Sequence, residues 1–72
     1  MNILKSYRLD NDRLTVETRF EPESRQYVLD LRSANDRLCR TWPDPAQFAE
    51  HVRSLSVQLA EDGWELETAQ NA

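Results

Sequence analysis

One histidine, one cysteine and a scatter of carboxylates are the groups in this chain whose types could do chemistry. His51 is the only histidine. Such a ring could act as a general base or a metal ligand, because its charge changes near neutral pH. No nucleophile or orienting acid stands at motif spacing from it. Its place at the solvent edge of an apolar helical arc reads instead as a boundary residue that covers the core edge. Cys39 is the only cysteine, so no internal disulfide can form. A nucleophilic thiolate needs a lowered pKa and a nearby base. Arg37 and Arg40 would favour the thiolate, but an ordinary mid-strand position accounts for Cys39 equally well. A zinc site built on Cys39 and His51 lacks two ligands at usual spacings.

The acids come in pairs. Glu65 and Glu67 share a strand face, and Glu61-Asp62 close a helix. Paired carboxylates serve acid–base work or a hard cation; here they read as a solvated surface. Gly63 is the sole glycine, so no Gly-rich phosphate loop is available. No catalytic residues, no metal ligands and no cofactor site emerge, and a non-enzymatic protein is the expectation.

Charge leaves two binding readings. The net charge is −4. Residues 1–42 hold eight bases against seven acids, and residues 43–72 hold Arg53 against six acids. The acidity therefore belongs to the C-terminal half. The first reading is a protein-interaction or regulatory module, an acidic inhibitor or adaptor of bacterial or phage type, that meets its partner through Glu50, Val57, Glu61 and Glu65. The second is a single-stranded nucleic-acid-binding domain using Arg8, Arg19, Arg32 and Arg37 on the outer face of a sheet. That mode wants exposed aromatics for stacking. Tyr7, Phe20 and Tyr27 instead share parity with core residues, and the overall charge opposes it.

The elements that must position these groups are organised around one helix, about 45–62. Asp44 is a good N-cap, Pro45 suits the first helical position, and Asp44-x-x-Gln47 resembles a capping box. Phe48, Val52, Leu55 and Leu59 recur at helical spacing and form one apolar arc. Val57 projects from the opposite side. Gly63 marks the stop, with Trp64 placed to touch Leu59 or Ala60 across a Schellman turn. After it Trp64, Leu66 and Thr68 alternate with Glu65 and Glu67, as on a half-buried strand over about 64–68. The run Leu59-Ala60-Glu61-Asp62-Gly63-Trp64-Glu65-Leu66 resembles the helix-to-strand corner of some small bacterial domains of unknown function, a likeness that implies no activity.

Before the helix the chain reads as strands at about 3–9, 13–20, 26–32 and 37–42. Leu14, Val16, Thr18 and Phe20 face one way and Arg13, Thr15, Glu17 and Arg19 the other. Tyr27, Leu29 and Leu31 point inward, while Val28, Asp30 and Arg32 point out, with Val28 expected to be exposed. Asn11-Asp12-Arg13-Leu14 recurs as Asn35-Asp36-Arg37-Leu38, each copy leaving a turn and entering a strand, an echo that reads either as a duplicated hairpin or, more readily, as shared turn chemistry. The expected architecture is a single small α+β domain: an antiparallel meander of three or four strands, one amphipathic helix packed on one sheet face, and a short C-terminal strand (ββββαβ or βββαβ).

Seventy-two residues bury only about 60% of their unfolded surface. With no disulfide or metal staple, a homodimer is an expected remedy. No apolar run approaches transmembrane length and no signal-type h-region is visible, so a cytoplasmic location is expected.

Overall fold

The computed structural model describes residues 2–71. Among these, β1 (Ile3–Leu9), β2 (Asp12–Glu21), β3 (Gln26–Arg32) and β4 (Arg37–Trp42) are followed by α1 (Pro45–Glu61) and β5 (Glu65–Asn71). They form one antiparallel sheet in the order β4-β3-β2-β1-β5, with the helix on one face. This is the expected α+β arrangement in its ββββαβ form. The fourth strand pairs fully with β3, from Tyr27 opposite Trp42 to Arg32 opposite Arg37.

The topology follows from one long connection. β4 and β5 lie on opposite edges of the sheet, so α1 must carry the chain from one to the other. Its 17 residues span roughly 25 Å at 1.5 Å per residue. Four interstrand gaps of about 4.8 Å need roughly 19 Å. A helix of this length, laid obliquely, therefore reaches from edge to edge.

Its ends are built as the residue types require. The Asp44 carboxylate accepts the Ala46 N–H at 2.9 Å. The capping box is not completed, because Gln47 returns no side-chain bond among the described residues and the cap bonds the second turn position alone. At the other end Trp64 N–H donates to Leu59 C=O at 2.9 Å and Gly63 N–H to Ala60 C=O at 3.1 Å. Those are the two bonds of a Schellman motif. Gly63 takes φ +94°, a conformation that favours glycine.

The core is thin. Tyr7, Val16, Leu29 and Leu59 are buried together, with Leu14, Leu31, Trp42, Phe48, Val52, Leu55 and Trp64 half-buried around them. Phe48 stacks on Tyr27 at 5.3 Å and meets Trp42 at 5.9 Å, so the helix start is anchored by aromatics over β3 and β4. Towards β1 and β2 the packing loosens, leaving a hollow of about 80 Å³ between Tyr7, Val16, Val52 and Leu55.

Three expectations need correction. Val28 does point away from the helix, but it is fully buried. Arg19 lies directly opposite it on β2 and reaches sideways to carboxylates on both strands, so its long side chain lies down over the face. The last strand runs Glu65–Asn71 rather than 64–68, with Trp64 before it as the C″ residue. Its alternation breaks at a bulge: Leu66 opposes Tyr7 and Thr68 opposes Ser6, leaving Glu67 without a partner of its own. Thr68 therefore joins the outer face with Ser6, not the helix side with Leu66.

Candidate functional site

The helix presents its outer side as a stripe. Glu50, Val57 and Glu61 follow at i, i+7 and i+11, so they project within about 40° of one another. All three are exposed, Val57 at 52%. The stripe stands opposite the arc of Phe48, Val52, Leu55 and Leu59, and the sheet cannot reach it. Glu65 does not join it. It pairs with Arg8, which pairs with Arg13, and this row belongs to the sheet face away from the helix. The four residues read from sequence as one docking surface thus divide between two faces of the molecule.

The open face of the sheet carries a layered charge network. Glu17 lies directly opposite Asp30, and Arg32 directly opposite Arg37. Like charges in direct opposition are destabilising, so neutralisation runs along the diagonals. Asp30 sits at the centre with only 1% exposure. Arg37 grips it in a bidentate fork, Nη2 at 2.8 Å from Oδ2 and Nε at 3.2 Å from Oδ1. Arg19 Nη1 lies 3.7 Å from the same carboxylate and 3.4 Å from Glu17. Arg32 Nη2 donates to Glu17 Oε1 at 3.2 Å, and Asn2 Nδ2 donates to its other oxygen at 3.2 Å. The hydrogen bonds from Arg37 hold the Asp30 carboxyl below its ordinary value of 3.8, against the opposing effect of burial, with further help from the charges of Arg37, Arg32 and Arg19. The bond to Asp30 likewise raises Arg37.

Of the four arginines read as a nucleic-acid surface, Arg19, Arg32 and Arg37 are therefore brought together but engaged by carboxylates. Arg8 is turned aside, its Nε donating to the Asp10 carbonyl at 3.0 Å. Phe20 is 41% exposed, yet its ring lies on the helix side against Tyr27 at 4.8 Å. The aromatics thus stand on one face and the arginines on the other.

His51 is exposed and packs its ring 4.7 Å from Trp42. Its Nδ1 lies 2.8 Å from the Gln47 carbonyl. A carbonyl only accepts, so that nitrogen carries the proton. The ring covers the aromatic end of the core as a boundary residue would. Cys39 is exposed at the middle of β4, opposite Asp30. Among the described residues no three His, Cys, Asp or Glu side chains gather as metal ligands would. No helix there is long and apolar enough to cross a membrane.

The echoed Asn-Asp turns meet at one end of the sheet, as the tips of the β1–β2 and β3–β4 hairpins must. Together with Arg13, Arg32 and Trp64 they line an open depression of about 640 Å³. Their backbones differ. Asp12 already belongs to β2 and opposes Leu9, whereas Asp36 lies in the connection between Arg32 and Arg37 and accepts a bond from Ser33 N–H at 2.8 Å. The two copies of the echo therefore do not share a turn geometry.

Compared with protein-family models, with characterised proteins and with solved structures, the chain matches none.

Proposed function

We propose that this chain is a small non-enzymatic protein-interaction module that docks on a partner through the outer stripe of α1, Glu50, Val57 and Glu61. The observation that carries this reading is the half-exposed Val57 standing between two carboxylates on a side of the helix that none of the described residues covers. A solvated helix face has no need of a β-branched apolar residue, which also lowers helix propensity slightly. An apolar anchor between acids suits a partner groove that is apolar at its floor and basic at its rim, the helix-in-groove mode. The C-terminal half, with one base against six acids, would add steering toward such a groove.

Nucleic-acid binding by the sheet has less support. Arg19, Arg32 and Arg37 would have to exchange carboxylates for phosphates, and the face lacks aromatic platforms. The two readings separate by experiment. Binding to a single-stranded oligonucleotide, titrated against salt, should be absent or flat under the docking reading. A steep fall in affinity with salt would establish the nucleic-acid reading instead. Under the docking reading, Glu50→Lys with Glu61→Lys lowers partner recovery at least about tenfold, as the loss of two charge contacts worth roughly 0.7 kcal/mol each would do. Unchanged recovery would remove α1 from the interface.

A further inference from the structure

The sheet has two open edges, and they differ in what they could accept. An unpaired strand is a template for another chain unless something blunts it. β5 is blunted: a bulge at Glu67 breaks its alternation, and Glu65 and Glu67 charge the first half. β4 is not. Its pairing with β3 is regular over all 6 residues, and every residue but Trp42 is exposed. Leu38, on the helix side of the sheet, is left 48% exposed because α1 leaves β4 at Trp42 and crosses away toward the far edge.

We propose that two copies of this chain pair antiparallel through their β4 edges, about a two-fold axis at Cys39, into one continuous sheet with both helices on the same face. This goes beyond the docking stripe and uses a different surface. The register is selected by charge and by the pleat. A two-fold axis normal to the sheet must pass through a residue position, because opposed side chains share a face. Centred on Arg40, the axis would set Arg40 against its own copy, a like-charge opposition. Centred on Leu38, it would pair only the first three strand residues. Centred on Cys39, it sets Arg37 against Thr41 and Leu38 against Arg40 of the second copy, with no like charges opposed. The diagonal neighbours are then Leu38 with its own copy and with Trp42 of the second copy, and Arg40 with its own copy and with Asp36 of the second copy, so the one like-charge diagonal is flanked by two opposite-charge ones. Each pairing of two different positions occurs twice and each self-pairing once, as an isologous interface requires. A pairing this short buries far less than the ~1,600 Å² of a standard interface, so association is concentration-dependent.

Sedimentation velocity over a concentration series tests it, with cysteine cross-linking to read the register. The wild-type chain should pass from monomer to dimer as concentration rises. Leu38→Lys, facing Arg40, should weaken the dimer at least about tenfold with an unchanged melting curve, since Leu38 lies half in solvent. Adding Arg40→Glu should restore it. Under mild oxidation Cys39 should cross-link much faster than a cysteine placed at Glu61 in a Cys39→Ser background. In that background Arg37→Cys and Thr41→Cys should cross-link with each other in a mixture and not alone. A wild-type chain that stays monomeric up to about 1 mM would overturn the proposal. So would a dimer indifferent to Leu38→Lys, or cross-linking at Cys39 no faster than at position 61.

Discussion

At the scale of single residues, Asp30 is the most constrained group in the molecule. A carboxylate at 1% exposure is tolerated on a sheet face only because a bidentate arginine and two further guanidinium charges surround it. Removing its charge leaves Arg37 and Arg19 without their shared partner, so Asp30→Asn should cost about 1.5–3 kcal/mol by chemical denaturation at neutral pH. The pH dependence has a definite sign. A carboxyl held lower in the folded state than its ordinary 3.8 contributes stability that is present above that value. This contribution is lost as pH falls through the folded-state value beneath it. Melting temperatures of the wild type should therefore fall between about pH 5 and 2, and the Asp30→Asn variant should show a shallower acid limb. Parallel curves would mean that the bond to Arg37 stabilises nothing. Asp30 was legible only in part. Strand parity put it on the outer face; its burial was not readable, because parity records direction and not how far neighbouring Arg stems lie down. Val28 was misread as exposed for the same reason.

At the scale of elements, α1 and its caps were nearly complete in the sequence. Asp44, Pro45 and Gly63 each answer a local backbone requirement, so their meaning does not depend on the rest of the fold. Gly63 shows this most clearly. Its φ of +94° already disfavours any side chain, and an added Cβ would also lie 3.4 Å from Leu9 Cδ1. Gly63→Val should cost about 1–2 kcal/mol in denaturant unfolding; a variant as stable as the wild type would place the helix end elsewhere. The helix arc is graded. Leu59, at 6% exposure, is the buried contact, whereas Val57 is half in solvent. Leu59→Ala should cost about 2–5 kcal/mol, and Val57→Ala should stay within about 0.5 kcal/mol. Equal losses at the two sites would contradict the orientation of the helix. β5 was the least legible element. Nothing in Glu65–Asn71, which has neither glycine nor proline, marks the bulge at Glu67. The bulge is set by pairing with β1, and that long-range register is absent from any local pattern.

At the scale of the whole molecule, the two halves of the chain divide labour. The basic-leaning N-terminal half supplies four of the five strands and engages Arg19, Arg32 and Arg37 with its own carboxylates, while Arg13 reaches Glu67 of the C-terminal half. The acidic C-terminal half crosses the sheet, adds β5 and leaves Glu50, Val57 and Glu61 exposed. That division supports the proposal, carried by the exposed Val57 between its flanking acids, that the helix meets a partner. Glu65 belonged to the expected surface by charge but stands on the other face, because its neighbour in β5, Leu66, lies with Tyr7 on the helix side and successive strand residues point opposite ways. Site-specific photo-cross-linking in cells tests the helix claim most directly. A photoreactive amino acid at Val57 should yield a discrete protein adduct that disappears with Glu50→Lys and Glu61→Lys, while the same probe at Thr15 on the open sheet face yields none. Adducts from Thr15 and none from Val57, or nucleic acid captured in place of protein, would contradict it.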